Sequence, residues 1–207
     1  MKLNIKAISE VLLAVKDYLF PYEKISKKFL KINSEGDLAT FIKEKSAFVT
    51  QSTLYGYLKT RMGLKQNLMF TDDVFVDSVN KAKWNIFSEA VTDLTFFSIS
   101  LLNKKYNIDN LDPNKIYETI LENEILNGLP KDMCEKYKAK FKEKLNGFDI
   151  KEYSSNDPFN NSCNALFHWA PIADELKELD KEVVINSIKN KWMLVVADFE
   201  KIPVNLK

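Results

Sequence analysis

The scarcity of glycine is the sequence feature that most constrains how this chain can fold. The chain has 5 glycines among its 207 residues, whereas average usage would give about fourteen. Sheet proteins need glycine in hairpins and bulges, where the backbone takes conformations that other residues resist. The composition therefore predicts an all-α fold, and a hydrophobic content of 45% is enough for an ordinary core.

Apolar residues recur with helical spacing along most of the chain. The pattern predicts helices or short helical turns over residues 3–19, 21–32, 37–62, 71–104, 113–127, 130–147, 164–169, 171–179 and from Asp180 onward. The stretch from Trp84 to Leu102 is apolar nearly all round, which is typical of a buried helix. We therefore expect a single all-α domain over residues 1–207, with about seven or eight helices in an irregular orthogonal or bundle arrangement around a central long helix.

Charge and cysteine usage limit the classes of partner and cofactor. The chain carries 30 basic and 29 acidic side chains, a balance that gives no general attraction to nucleic acid. The two cysteines, Cys134 and Cys163, form neither a metal motif nor a disulfide framework, and no signal or transit peptide is evident. Phosphate-binding loops, dinucleotide fingerprints and serine elbows are also missing from the sequence. These observations predict a cytoplasmic protein without nucleic-acid partner, metal or cofactor, and they favour a protein that is not an enzyme.

A cluster of aspartates at the start of the 71–104 helix is a candidate metal site. Asp72, Asp73 and Asp77 include a pair four residues apart, which share a helix face and could hold Mg²⁺. The first two also lie where a helix N-terminus attracts negative charge. We therefore interpret them as capping residues.

A polar stripe crosses the apolar part of the same helix. Four residues follow one another at intervals of four and therefore share a face: Lys81, Asn85, Glu89 and Asp93. Buried carboxylates need partners, and Arg61 at the end of the preceding helix is the candidate partner for Glu89 or Asp93. The alternative interpretation is an interhelical polar pocket in which the carboxylates act as acid, base or ligand groups.

The helix that carries Arg61 contains unusual residues for a helix interior. Thr50-Gln51-Ser52-Thr53 is followed by Tyr55, Gly56 and Tyr57, and Gly56 alone costs about 1 kcal/mol relative to alanine. Close packing of another helix is the expected compensation, with a ligand or partner as the alternative. Arg61 is the single arginine of the chain, which suggests a position where a bidentate donor is needed. Tyr and Arg are also enriched in binding hot spots.

Residues 148–164 are rich in Asp, Asn and Ser and predict a long loop, a type of segment that is often functional. The only histidine, His168, follows it together with Cys163 and Trp169. A Cys–His nucleophile pair is conceivable, but five residues is a poor spacing for one helical face. We favour a packed histidine beside Trp169.

The helix predicted over residues 130–146 is rich in lysine, with a narrow apolar stripe that includes Tyr137 and Phe141. Such a helix could lie on an anionic membrane surface. A solvated bundle helix explains the pattern as well and is favoured here, because charged outer faces are common.

The run Ser46-Ala47-Phe48-Val49-Thr50-Gln51-Ser52-Thr53-Leu54-Tyr55-Gly56-Tyr57-Leu58-Lys59-Thr60-Arg61-Met62-Gly63, with the later Ala82-Lys83-Trp84, resembles a family of uncharacterised bacterial cytosolic proteins. Members have been labelled esterases, a label that the missing serine elbow does not support. The resemblance implies a bacterial cytosolic protein and carries over no catalytic residue.

The leading functional hypothesis is a non-catalytic cytosolic interaction protein, such as an adaptor, regulator or assembly factor, with a protein partner. The alternatives are a small-ligand-binding protein or enzyme with a polar pocket around Arg61, Glu89 and Asp93, and a peripheral membrane protein that uses the lysine-rich helix. The candidate binding residues are Gln51, Tyr55, Tyr57, Arg61, Asn85, Glu89, Asp93, His168 and Trp169.

Overall fold

A computed structural model of the chain describes residues 31–65, 69–155 and 157–206. Within these residues it contains six α-helices: α1 Glu35–Met62, α2 Asp73–Tyr106, α3 Pro113–Ile125, α4 Lys131–Leu145, α5 Asn160–Trp169 and α6 Asp174–Lys201. Two short 3₁₀ helices lie at Gly63–Lys65 and Tyr153–Ser155. The all-α class is confirmed for the described residues. The helices predicted over residues 3–19 and 21–32 fall almost entirely outside them, so the expected total of seven or eight stays a prediction.

Local sequence accounts for where the first three helices begin and where α1 ends. The side chains of Ser34, Asp72 and Asp112 accept hydrogen bonds from the free backbone N–H groups that open α1, α2 and α3. Gly63 ends α1 in a left-handed conformation with φ of 52°, which favours glycine. The capping interpretation of Asp72 is therefore confirmed.

Helix α2 is the longest helix that the structure describes, with 34 residues. Every residue from 84 to 102 is buried, because α1, α3 and α5 pack on different sides of it. None of the described helices is both long enough and apolar enough to cross a membrane.

An aromatic column fills the space between α2 and the α3–α4 pair. The Tyr117 ring stacks on Phe141 at 4.0 Å, Phe141 on Phe96 at 4.8 Å, and Phe96 on Phe148 at 4.4 Å between ring centroids. Tyr153 closes the end of the column with an edge contact to Phe96. Each such pair contributes about 0.5–1.5 kcal/mol beyond its area burial.

Three sequence predictions about the second half of the chain are wrong. The last helix does not start at Asp180, because α6 runs without a break from Asp174 to Lys201. The central long helix is expected from the sequence to be packed by α1 and by this last helix, but α6 packs mainly against α1 and α5. Residues 148–164 are not one long loop, since they contain the second 3₁₀ helix and the first half of α5.

Candidate functional site

Three of the four residues of the predicted polar stripe of α2 are buried, and they face α4 and the start of α5. Asn85, Glu89 and Asp93 are all buried, whereas Lys81 is exposed. Asn85 Nδ2 donates to the carbonyl of Lys81 at 2.7 Å, and its Oδ1 accepts from the Tyr137 hydroxyl at 2.7 Å. One end of the stripe is therefore a satisfied amide.

Glu89 is held by two lysines of α4. Lys140 Nζ donates to Oε1, and Lys144 Nζ donates to Oε2 at 2.8 Å. Lys144 also donates to Asn161 Oδ1 at 2.7 Å, which links Glu89 to α5. The predicted ion pair between Arg61 and Glu89 or Asp93 is therefore wrong, because lysines from a helix that the sequence presented as a solvated surface compensate the buried charge.

Asp93 is fully buried and accepts hydrogen bonds at both carboxylate oxygens. Asn161 Nδ2 donates to Oδ1 at 2.7 Å, the Tyr153 hydroxyl to Oδ1 at 3.2 Å, and the backbone N–H of Ser162 to Oδ2 at 2.7 Å. Burial raises the pKa of Asp93 to about 7, and the bonds from Ser162 and Asn161 oppose this shift. The carboxyl is therefore able to change its charge near neutral pH.

The partners of Asp93 extend into α6. Ser162 Oγ accepts a hydrogen bond from Trp192 Nε1 at 3.0 Å, and the Trp192 ring stacks on Phe159 at 4.4 Å. The stripe thus connects α2, α4, α5 and α6 through side chains that are mostly buried. Every oxygen of Glu89 and Asp93 already has a protein donor, an arrangement that suits a structural network better than an acid–base site.

Arg61 makes its contacts with α6 and is not part of this network. Its Nε and Nη2 donate to the two oxygens of Asp180 on α6, and the Tyr57 hydroxyl donates to Asp180 Oδ2 at 2.9 Å. The expectation that the single arginine makes a bidentate contact is confirmed. A pocket shared by Arg61, Glu89 and Asp93 is not formed.

Other residues of the α1 segment also separate. The Tyr55 ring lies 6.2 Å from the ring of Phe70, and Gln51 lines a cleft between α1, α2 and the end of α3. A Cβ atom added at Gly56 would meet no atom within 4 Å. The expected close packing at Gly56 is therefore wrong.

Cys163 and His168 do not form a catalytic pair. Cys163 is buried, and burial raises the pKa of its thiol to about 12, which suppresses the nucleophilic thiolate. His168 is exposed and meets Trp169 in an edge contact at 5.0 Å. The contact of His168 with Trp169 is confirmed, but the expectation of a packed histidine is wrong, because the residue is exposed. Among the described residues, no group of three or more His, Cys, Asp and Glu side chains is arranged to hold a metal ion.

Four of the six lysines of α4 form ion pairs within the molecule. Besides Lys140 and Lys144, Lys138 pairs with Glu122 at 2.9 Å and Lys142 pairs with Glu118 at 2.8 Å. A membrane-binding helix needs lysines that are available to anionic headgroups. These ion pairs therefore favour the bundle-helix interpretation of α4.

Sequence reasoning missed an uncharged exposed surface on α6, which we call the outer face. Its residues follow one another at alternating steps of three and four: Leu176, Leu179, Val183, Asn186, Asn190 and Met193, with Leu194 beside Met193. The buried residues of α6, including Val184, Ile188 and Trp192, lie on the opposite side of the helix. The steps of three and four are present in the sequence, but Asp180 divides this segment into two predicted helices, so the continuous row is not predicted.

Comparison of the chain with protein-family models, with curated proteins and with solved structures finds no match. The family resemblance of the Ser46–Trp84 region therefore stays a prediction. What the protein does must be inferred from its own geometry.

Proposed function

We propose that this is a non-catalytic interaction protein that binds an amphipathic helix of a protein partner along the outer face of α6. The observation that carries this proposal is the heptad-like row of exposed, uncharged residues that runs from Leu176 to Met193. A repeat of this kind is the pattern that a second helix recognises with its own apolar residues. Cys134 and Cys163 are free buried thiols, which is consistent with the expected cytoplasmic location.

The exposure of this row is large. Leu179, Val183 and Met193 are 79%, 72% and 68% exposed. Complete burial of each side chain would contribute about 1.5–3 kcal/mol, and their sum is comparable to the cost of association. Binding should therefore depend on all three residues.

The chemistry of the face suggests the chemistry of its partner. Apolar side chains occupy both ends of the row, and the amides of Asn186 and Asn190 occupy its middle. Along one edge, Glu175 and Glu182 are exposed and have no ion-pair partner among the described side chains. The complementary helix carries apolar residues at its ends, a hydrogen-bonding residue at its centre and basic residues along one edge.

A second copy of this chain is a poorer match for the face. Two parallel α6 helices would bring the acidic residues Glu175 and Asp180 of the two copies together. In the antiparallel arrangement, Glu182 of one copy would have to pair with basic residues from the second half of α6 in the other copy. Of these, Lys189 pairs with Asp157 at 3.0 Å and Lys191 covers the Phe48 ring.

The enzyme hypothesis has less support. The two buried carboxylates of α2 are occupied by protein donors, and the thiol of Cys163 is buried. The acidic and thiol groups that the sequence offered for catalysis therefore have structural explanations.

The test is a photocrosslinking amino acid at position 183 of the intact protein in its native cells. We expect a crosslink to one amphipathic helix of one partner, and a synthetic peptide of that helix should bind the purified protein. Val183→Glu should abolish peptide binding without changing the melting temperature, because the site is exposed. Leu126→Glu is the matched control, since Leu126 is 90% exposed and lies away from α6.

Two results would overturn the proposal. One is a peptide that binds Val183→Glu and the unmodified protein equally. The other is a purified protein that is a stable dimer and that Val183→Glu converts to a monomer, since the occupant of the face would then be a second copy.

A further inference from the structure

The cleft at the junction of α1, α2 and the end of α3 has the composition of a small-ligand site. It has a volume of about 280 Å³, with Trp84 and Phe87 as its aromatic lining and Thr50, Gln51, Lys83, Glu124 and Asn127 as its polar lining. Ligand sites typically combine aromatic walls with a few polar groups that fix the orientation of the ligand. The cleft lies on elements other than α6 and is independent of the proposed function.

Lys83 brings a positive charge to the cleft that forms no ion pair with a described carboxylate. Its ammonium nitrogen lies 4.2 Å from the centre of the Trp84 ring. Burial lowers the pKa of Lys83, and the charge of Glu124 partly opposes this change. A ligand carboxylate against this ammonium would compensate the charge.

Thr50 brings a hydroxyl group that has no partner. The residue is completely buried, and its Oγ1 makes no hydrogen bond with any described group. Buried polar atoms are normally paired, and each exception calls for an explanation. A ligand oxygen in the cleft would provide the missing hydrogen-bond partner.

Glu124 places a negative charge in the same cleft. It is buried, its Oε2 accepts a hydrogen bond from Asn127 Nδ2 at 3.1 Å, and its Oε1 lies 3.9 Å from the Lys43 ammonium. A ligand that carries only a negative charge would be repelled by the carboxylate of Glu124. A cation without a carboxylate would likewise be repelled by Lys83.

We propose that the cleft binds a free α-amino acid with an apolar side chain. The carboxylate of the ligand lies against Lys83 and the hydroxyl of Thr50, its ammonium group lies toward Glu124, and its side chain packs on the Trp84 wall. The two opposite charges of the cleft are then both matched by one small molecule.

Three probes of similar shape test this assignment by calorimetry on the intact protein. They are leucine, 4-methylpentanoate, which lacks the amino group, and 3-methylbutylamine, which lacks the carboxylate. We expect leucine to bind at least about tenfold more tightly than either analogue, since each analogue loses one charge-assisted contact. In Lys83→Gln, leucine should bind no more tightly than 3-methylbutylamine. In Glu124→Gln, leucine should bind no more tightly than 4-methylpentanoate. Lys131→Gln, an exposed lysine on α4, is the matched control and should change nothing.

Thr50→Val provides a variant whose folding is not at risk. Removal of an unpaired buried hydroxyl should raise the melting temperature of the free protein and weaken leucine binding. The assignment is overturned if leucine does not bind, if either analogue binds as tightly as leucine, or if Thr50→Val leaves the affinity unchanged.

Discussion

The guanidinium group of Arg61 forms a two-point contact with the carboxylate of Asp180, in which Nε donates to Oδ2 and Nη2 donates to Oδ1. Tyr57, one turn earlier on α1, donates to the same carboxylate. None of the residues from 174 to 183 is buried. Polar contacts of this kind therefore hold the first turns of α6, and with them the beginning of its outer face, against α1.

Arg61→Lys should loosen the start of α6 while leaving the rest of the helix intact. Lysine keeps the charge but lacks the planar fork that binds both carboxylate oxygens. Hydrogen–deuterium exchange should become faster over residues 174–183 and stay unchanged over 184–201, where Val184, Ile188 and Trp192 are buried. Lys59→Gln, an exposed change on the same turn of α1, is the control. Equal exchange in Arg61→Lys and the unmodified protein would contradict this role.

Asp93 should make the stability of the protein depend on pH. Burial raises its pKa to about 7 from a usual value of 3.8. Between these two values the folded protein keeps a proton that the unfolded chain has released, so the free energy of unfolding falls as the pH rises from about 4 to about 7. The size of this contribution is on the order of 4 kcal/mol.

Asp93→Asn cannot ionise and should lose this component of the pH dependence. Urea unfolding at a series of pH values gives the free energy of unfolding as a function of pH. The difference in slope between the two proteins is the contribution of Asp93. The variant also has a constant penalty, because an amide cannot accept at both of its polar atoms. Asp132→Asn, at an exposed position, is the control. Identical slopes for Asp93→Asn and the unmodified protein would show that Asp93 keeps its ordinary pKa.

Removal of the two lysines that bind Glu89 should destabilise the protein more than removal of the Glu89 carboxylate. The double variant Lys140→Met/Lys144→Met leaves a buried carboxylate without counter-charge and should lower the free energy of unfolding by up to about 3–5 kcal/mol. Glu89→Gln should cost less, because Lys140 and Lys144 are 46% and 25% exposed and can turn to water. Adding Glu89→Gln to the double variant should recover part of the loss. A triple variant less stable than the double would contradict this assignment.

Gly56→Ala should stabilise the protein. The added methyl group meets no atom within 4 Å, and alanine is favoured over glycine in a helix interior by about 1 kcal/mol. Chemical unfolding should show an increase of roughly this size in the free energy of unfolding. Thr60→Ala, one turn later on α1, is the comparison variant. A lower free energy of unfolding would mean that another group approaches α1 at this position.

The sequence predicted those features that depend on neighbours along the chain. The cap Asp72, the end of α1 at residue 62, the start of α3 at residue 113 and the burial of Asn85, Glu89 and Asp93 all follow from local spacing and side-chain chemistry. The bidentate role of Arg61 follows from its being the single arginine in a chain that otherwise uses lysine.

The partners of these residues could not be predicted, because they come from distant parts of the chain. Arg61 and Asp180 are 119 residues apart, and Glu89 and Lys144 are 55 residues apart. The lysines of α4 have the pattern of a solvated helix, and local sequence does not reveal that two of them reach a buried carboxylate. The outer face of α6 was missed for a different reason: Asp180 resembles an N-cap residue, and it divided a continuous heptad-like row into two short segments.

Whether the outer face is covered in living cells can be measured through the reaction rate of an engineered cysteine. Cys134 and Cys163 are buried, so a thiol reagent reports mainly on Val183→Cys or on the control Leu126→Cys, which is also highly exposed. We predict that position 183 reacts more slowly in cells than in the purified protein, because a partner helix covers it, while position 126 reacts at the same rate in both. Equal rates at position 183 in cells and in the purified protein would mean that the face is not a binding surface.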